Sequence, residues 1–281
     1  MAGAAEWWWC MAANLVRPLP NPFELVRDQG FAPAARRELE VFGAPVELLL
    51  LPERKRRAGR PGFREPFRPA VAERIIAEEA LWELENVTLT PNKFPFADRH
   101  AVLWSRQPSR EPTMDLLVTA FSMVAEHGGM MMGNCIGSAA SVQRAHVHLV
   151  PLDLQFLDRL RRAPASELAR LIDAPDGQLE VTQVDHVPFI AVTLEGDPMH
   201  RARATLRLLE IRTTATFNLI ATAERTWVIP RGQETPAPHF PYALGAAELS
   251  GRWCFGDEKP FRSARSTSLE HALILAGMRS P

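Results

Sequence analysis

The chain has 281 residues, 46% of them hydrophobic and 23% charged, with a formal net charge of −1. That size fits one large domain or two small ones with a real apolar core, and the charge balance gives no overall reason to bind nucleic acid or an anionic membrane. Cys10, Cys135 and Cys254 are too few and too scattered for a disulfide framework or a zinc knuckle, and no apolar run approaches the roughly 20 residues of a membrane span.

At the start, MAGAAEWWWCMAA lacks the basic beginning and long apolar middle of a secretion signal. With its few cysteines the protein is expected to be cytoplasmic, and Met11 competes with Met1 as the natural start, which would remove Trp7 to Trp9. PLPNPFELV and APAARRELEVFG read as short helical pieces, placing a helical and loop extension over residues 1–45. VELLLLP, from Val46 to Pro52, predicts a strand. The Gly/Pro-rich loop that follows is basic. Arg54, Lys55, Arg56, Arg57, Arg60, Arg64 and Arg68 outweigh Glu53 and Glu65, which suits a solvated loop or, more sharply, one that attracts a polyphosphate.

AVAERIIAEEALWELE is rich in helix formers and predicts a helix. NVTLT and HAVLWSR predict strands on either side of PNKFPFADR, whose prolines forbid a regular element. In TMDLLVTAFSMVAEHGG, Leu117, Phe121 and Val124 lie at helical spacing, with Thr113 as N-cap and Gly128 as stop. MMMGNCIG and AHVHLVP predict strands, and QFLDRLRRA and ASELARLID short helices. A second half follows: strand PFIAVTLEG, helix DPMHRARATLRLLEIR capped by Asp197 with Pro198 at its first position, then strands TFNLIAT and RTWVIPR. SLEHALILAGM predicts a last helix, opened by a capping box of Thr267 and Glu270. The order of elements implies an α+β fold with a largely antiparallel sheet, divided into a catalytic region over 46–165 and a C-terminal region over 166–281.

The chemistry concentrates in SVQRAHVHLVPL, where His146 and His148 are one residue apart in an apolar run. On a strand they share a face with Val150, while Val147 and Leu149 serve the other. Two buried histidines without a role would be costly, which favours a cleft. A shared metal ion is one reading; it needs further ligands, and His127 and Cys135 are near only in sequence. Nucleophilic attack on phosphorus is the other. The preceding GNCIGSAAS suits it, since Gly133 and Gly137 allow close backbone approach and Asn134, Ser138 and Ser141 can donate to phosphate oxygens. Trp227 and Phe217 read as core aromatics, Met130 to Met132 as strand packing, and His100, His186, His200, His239 and His271 carry no motif.

NKFPFADRHAVLWSR, then a helix, then GNCIGSAASVQRAHVHLVPL, resembles the histidine-triad superfamily. Within it the chain looks closest to diadenosine polyphosphate phosphorylases (ATP adenylyltransferases), relatives of galactose-1-phosphate uridylyltransferase. ATFNLIATAERTWVIPR and YALGAAEL resemble stretches of the phosphorylase C-terminal region, so the likeness runs in pieces from Val87 to Met278.

The resemblance implies a HIT-like fold and a nucleotidyl-histidine intermediate. The substrate would be a nucleotide or dinucleoside polyphosphate and the acceptor phosphate. No nucleic acid or membrane partner is implied, and the protein would be a monomer or homodimer. No metal is required, with Mg2+ accompanying the polyphosphate. His148 would be the nucleophile and His146 its support. Asn92 and Lys93 would sit by the nucleotide; Asn134, Gly137, Ser138 and Ser141 would line the phosphate pocket; and Arg231 would touch substrate.

Two departures stand out. The family carries Gln or His two residues after the nucleophile, where this chain has Val150, and the stretch before His146 has an extra residue. The loss of a transition-state donor costs on the order of 10²–10³ in rate. A nucleotide-binding protein without catalysis, or an enzyme acting on nucleotide-sugars, is therefore the alternative.

Overall fold

The computed structural model describes residues 18–53, 69–174 and 177–278. The basic residues Arg54 to Arg68, Trp7 to Trp9, Cys10 and Met11 lie outside the described residues.

A one-turn helix, α1 (Pro22–Leu25), is capped by the Asn21 side chain. The hairpin β1 (Ala35–Val41) and β2 (Ala44–Leu50) follows. The expected N-terminal helix over APAARRELEVFG is thus this first strand. Its arginines, glutamates and leucine favour helices, but its burial alternates residue by residue and Phe42 and Gly43 take positive φ, 48° and 75°. Two left-handed residues make the tight turn that matches strand twist, and the turn overrides propensity.

Next come α2 (Pro69–Glu78), β3 (Trp82–Leu84), β4 (Val87–Pro91) and β5 (Ala101–Ser105). The helix expected through Glu85 stops at Glu78, because Trp82 to Leu84 pair with Leu89 to Val87 as an edge strand. Helix α3 (Met114–His127) has Thr113 accepting the Leu116 N–H, and Gly128 ends it at φ 74°, both as read from the sequence. β6 (Met130–Asn134) and β7 (His146–Val150) come next. Then α4 (Phe156–Arg159) ends early and gives way to β8 (Arg162–Pro164), where a continuous helix had been expected.

The remaining elements are α5 (Ser166–Leu171), β9 (Leu179–Val184), β10 (Val192–Gly196), α6 (Pro198–Ile211), β11 (Thr216–Ala221), β12 (Arg225–Arg231), α7 (Ala246–Leu249), β13 (Arg252–Phe255), α8 (Glu258–Ser263) and α9 (Ser266–Ala276). The Asp197 side chain accepts from Met199 and His200 at the start of α6. The Thr267–Glu270 capping box does not form. The Ser268 hydroxyl accepts the Arg265 N–H instead, and Glu270 accepts the N–H of Phe42 from the β1–β2 turn.

Ten strands form one antiparallel sheet in the order β3-β4-β5-β7-β6-β11-β12-β10-β9-β8. The expected boundary at residue 165 lies just past β8, which pairs with β9, and β6 of the first half pairs with β11 of the second. The boundary at residue 45 falls inside β2, so the 1–45 extension includes the hairpin partner of the next region. A small sheet, β1-β2-β13, packs on one face of the large one.

Side-chain alternation sorts the two faces. Val147 and Leu149 of β7 face α3 and α6 in one apolar cluster, while Met130, Met132, Val150, Trp227 and Ile229 face the small sheet in another. The result is the α+β architecture with a mainly antiparallel sheet that was expected: helices, sheet, then a partial second sheet that leaves part of the face open over β7. No helix among the described residues is long and apolar enough to cross a membrane.

Candidate active site

The open part of that face is a cavity of about 430 Å³. Its floor is built by register. Trp104 of β5 pairs with His146 of β7, Val102 with His148, and Met132 of β6 with His148 from the other side. One wall is α2, through Val71, Arg74 and Ile75; the other is the chain from Glu234 through Gly245 to Glu248. Apart from Arg74 and the following Glu79 this side is apolar, because Ala72, Val102, Trp104 and Val142 form a small separate core with Ile75 and Ile76. The opposite wall is polar and holds Asn134, Glu234 and Glu248.

His146 and His148 line the cavity together, with ring centroids 5.4 Å apart. Their hydrogen bonds differ. His146 Nδ1 lies 2.7 Å from the carbonyl of Arg144, which makes it the protonated nitrogen and puts the lone pair on Nε2. Burial holds the His146 pKa below the ordinary histidine value, against a smaller opposing pull from that carbonyl, so the ring is neutral at neutral pH. His148 instead turns Nδ1 toward His100 Nε2, at 3.0 Å, and toward the Asn92 amide nitrogen at 3.5 Å. His100, given no role from the sequence, is thus part of the site. It stands eight residues from Asn92 across the PNKFPFADR loop, and the backbone N–H of Asn92 donates to its carbonyl. A histidine closing a proline loop beside the strand that neighbours His-x-His was the available signal.

Asn92, Lys93, Asn134 and Ser141 all line the cavity. Asn134 is oriented: its Oδ1 accepts from the Ala246 N–H at 2.8 Å and from Asn218 Nδ2 at 2.6 Å, which leaves its own amide N–H groups as donors.

Gly137, Ser138 and Arg231, expected at the phosphate or substrate, are not among the lining residues. Ser138 is fully buried and shares its hydroxyl with Cys135 and the Phe217 carbonyl, shaping the loop from behind. Gly137 turns that loop at φ 86°, and a Cβ there would meet Thr216 at 2.8 Å, so it serves close packing. Arg231, 2% exposed, spends its guanidinium on the carbonyls of Ala276, Leu244 and Gln233 and on Asn218 Oδ1. It ties the polar wall together from behind the cavity lining.

The metal reading finds no support in placement. His127 bonds the Leu19 carbonyl, and Cys135 is buried beside Ser138. Among the described residues no group of three or more His, Cys, Asp or Glu is placed to hold a metal ion.

Comparison with protein-family models and with curated proteins gives no match. Among solved structures, yeast Ap4A phosphorylase Apa2 in complex with Ap4A is similar over 96% of this chain and 95% of that one, at 16% identity and a TM-score of 0.66. Apa2 in complex with AMP is similar over 98% and 97%, at 15% identity and a TM-score of 0.65. At these identities the likeness is one of fold, and it spans the chain from one end of the described residues to the other: this protein has the fold of yeast Ap4A phosphorylase.

Proposed function

We propose that the protein transfers a nucleoside monophosphate from a dinucleoside polyphosphate to phosphate, through a histidine of β7. The observation that carries this reading is the neutral His146 ring in the cavity, with its proton bound to a backbone carbonyl and its lone pair on Nε2. A nucleophilic imidazole needs that state, and the carbonyl at Nδ1 offsets the positive charge that grows on the ring as it attacks.

In this reaction His146 Nε2 forms a bond to the α-phosphorus and the bond from that phosphorus to the leaving polyphosphate oxygen breaks. Inorganic phosphate then attacks the same phosphorus, the P–N bond breaks, and His146 is regenerated. From diadenosine tetraphosphate the first step releases ATP and the second ADP. Lys93 and the oriented amide of Asn134 are placed to meet phosphate charge, Ser141 to donate a hydroxyl, and the apolar α2 wall to take a nucleobase.

The sequence expectation named His148 as the nucleophile. Hydrogen bonding favours His146, and the register of the resemblance then moves by two residues. The position two after the nucleophile becomes His148, one of the two residue types the family carries there, and the supposed extra residue before His146 disappears. Val150 is buried in the core beside Met130 and Met132, so its lack of a donor ceases to argue for a site without catalysis. The apolar wall and the phosphate-facing donors also favour a nucleotide over a metal.

Phosphorolysis of diadenosine tetraphosphate by the purified chain, followed by chromatography, is expected to give ADP and ATP. Acid-labile adenylate should be recovered on the peptide containing residue 146, and His146→Ala should give neither. Adenylate on His148 in a His146→Ala background would restore the first assignment. No turnover of any dinucleoside polyphosphate, with or without phosphate, would overturn the reading.

A further inference from the structure

We infer that Glu234 is an internal competitor for phosphate. Its carboxylate occupies an outward-facing amide of the loop between β6 and β7, and a nucleotide's phosphate has to displace it. The residue thereby sets an upper limit on how tightly the cavity holds a phosphorylated ligand. The competition rests on the reading that the cavity takes a nucleotide.

The loop turns two amides inward and one outward. The N–H groups of Ser138 and Ala140 both donate to the Cys135 carbonyl, at 2.9 and 3.2 Å. Ala139, between them, takes a left-handed φ of 79° and donates the other way, to Glu234 Oε1 at 3.1 Å. An alanine at positive φ is strained, and what the strain accomplishes here is a backbone N–H presented to the cavity that Ala139 lines.

A second donor adjoins that amide. A Cβ on Gly245 would meet the Ala139 Cβ and Asn134 Oδ1, each at 3.1 Å, so Ala139 and Asn134 share one corner of the cavity. Asn134 Oδ1 is held by Ala246 and Asn218, and among the described residues nothing accepts from its Nδ2. The hydroxyl-bearing Ser141 lines the same cavity. Backbone and side-chain donors gathered beside a left-handed turn suit a tetrahedral anion, and Glu234 takes the backbone share of that corner for itself.

Neither charge pairing nor bracing accounts for a carboxylate at this position. The neighbouring Arg231 guanidinium gives its hydrogen bonds to Asn218 and to three backbone carbonyls, none to Glu234. The Glu234 backbone is fixed separately, its carbonyl accepting the Leu244 N–H at 2.9 Å. Fastening the loop needs only an acceptor, which a neutral amide side chain supplies. What the carboxylate adds is a negative charge in a cavity that receives phosphate, where two like charges repel. The side chain is half-buried, and the Ala139 N–H is the one hydrogen bond its carboxylate accepts among the described residues. It therefore gives up little when it swings aside.

The test titrates the full chain with AMP and, as a ligand without phosphate, with adenosine. Glu234→Gln keeps an acceptor for Ala139 and removes the charge. It should bind AMP on the order of 10-fold tighter than the parent, with the gap narrowing as salt is raised, and adenosine with the parent's affinity. Glu234→Ala, which removes the acceptor as well, should also bind AMP more tightly. In the parent, the Ala139 amide resonance should move on addition of AMP and stay in place with adenosine. AMP affinity unchanged or weakened in the two variants would overturn the inference and leave Glu234 as a fastening of the loop. Absence of AMP binding in both parent and variants would overturn it too. The titration needs no turnover, and phosphorolysis by the parent needs no change at Glu234, so either reading can fail while the other stands.

Discussion

The indole of Trp104 lies stacked on the imidazole of His146, with centroids 4.6 Å apart and planes 29° apart. Its Nε1 donates to the Thr90 hydroxyl at 2.9 Å, which fixes the indole and through it the angle at which His146 enters the cavity. An aromatic face also stabilises the positive charge that the ring gains on attack, by about 0.5–2 kcal/mol. Trp104→Phe is therefore expected to fold and to lose roughly 3- to 30-fold in kcat. Trp104→Ala, at a buried site, should lose about 3–5 kcal/mol of unfolding free energy. Equal kcat in the parent and the phenylalanine variant would show that the stack serves packing alone.

The depressed pKa of His146 sets the sign of a pH effect. Its value in the folded chain lies below the 6.5 of an ordinary histidine, so the ring proposed as nucleophile stays neutral into mildly acidic solution. The acid limb of kcat/KM should fall below about pH 6.5. For stability, the unfolded chain takes up this proton at higher pH than the folded one. The contribution is complete above about pH 6.5 and is lost as pH falls through the folded value. His146→Gln should flatten that acid loss in denaturant titrations from pH 7 to pH 5.

Arg231 is expected to matter for folding and not for substrate. Burial pushes its pKa down to about 10, so the guanidinium stays charged at neutral pH, surrounded by the acceptors named above. Arg231→Met would strand those carbonyls and Asn218, costing about 3–5 kcal/mol. Chemical denaturation measures this. Nucleotide affinity of the folded fraction should be unchanged, and a raised Kd would return Arg231 to the substrate.

Two glycines make a matched pair. Gly43 and Gly129 both take positive φ, 75° and 78°. A Cβ on Gly43 would meet nothing within 4 Å, whereas on Gly129 it would lie 2.5 Å from the Val150 carbonyl and 2.7 Å from the Phe23 ring. Gly43→Ala should cost only the left-handed conformation, about 1 kcal/mol. Gly129→Ala should cost clearly more and, by pressing on β7, lower turnover as well. Similar denaturation midpoints for the two variants would refute the difference.

The strongly periodic elements were legible because one local signal decided each. Thr113 and Gly128 delimit α3, Asp197 and Pro198 open α6, and Trp227 and Phe217 are core, as read. Strand β1 was hidden by helix-favouring residues that it tolerates because it is an edge with one charged side. Strand β9, a stretch between APDG and PFIAVTLEG with no expectation from the sequence, is recruited by β10 on one side and β8 on the other, partners that no local pattern announces. At the site, the His-x-His strand and the Asn92–Lys93 and Asn134–Ser141 segments were visible as motifs. The place of His100 at the end of the proline loop was visible too, but its contact with His148 on the neighbouring strand was not. The choice between His146 and His148 was equally out of reach, because it turns on which backbone carbonyl and which ring nitrogen each imidazole meets.

The small sheet bears on how the molecule is made. β13 lies parallel to β2, with Arg252 opposite Glu47 and an ion pair of 2.7 Å between them. Strand β2 must therefore wait, during synthesis, until the chain has been extended past Arg252 before its second neighbour exists. Non-local pairing of this kind slows folding, because a long loop has to close before any contact rewards it. The polar wall of the cavity, Glu234 to Glu248, arrives just ahead of that strand. A chain extended only through β12 thus lacks both the polar wall of the cavity and the second neighbour of β2, so the cavity over β7 is completed by residues close to the end of the described chain.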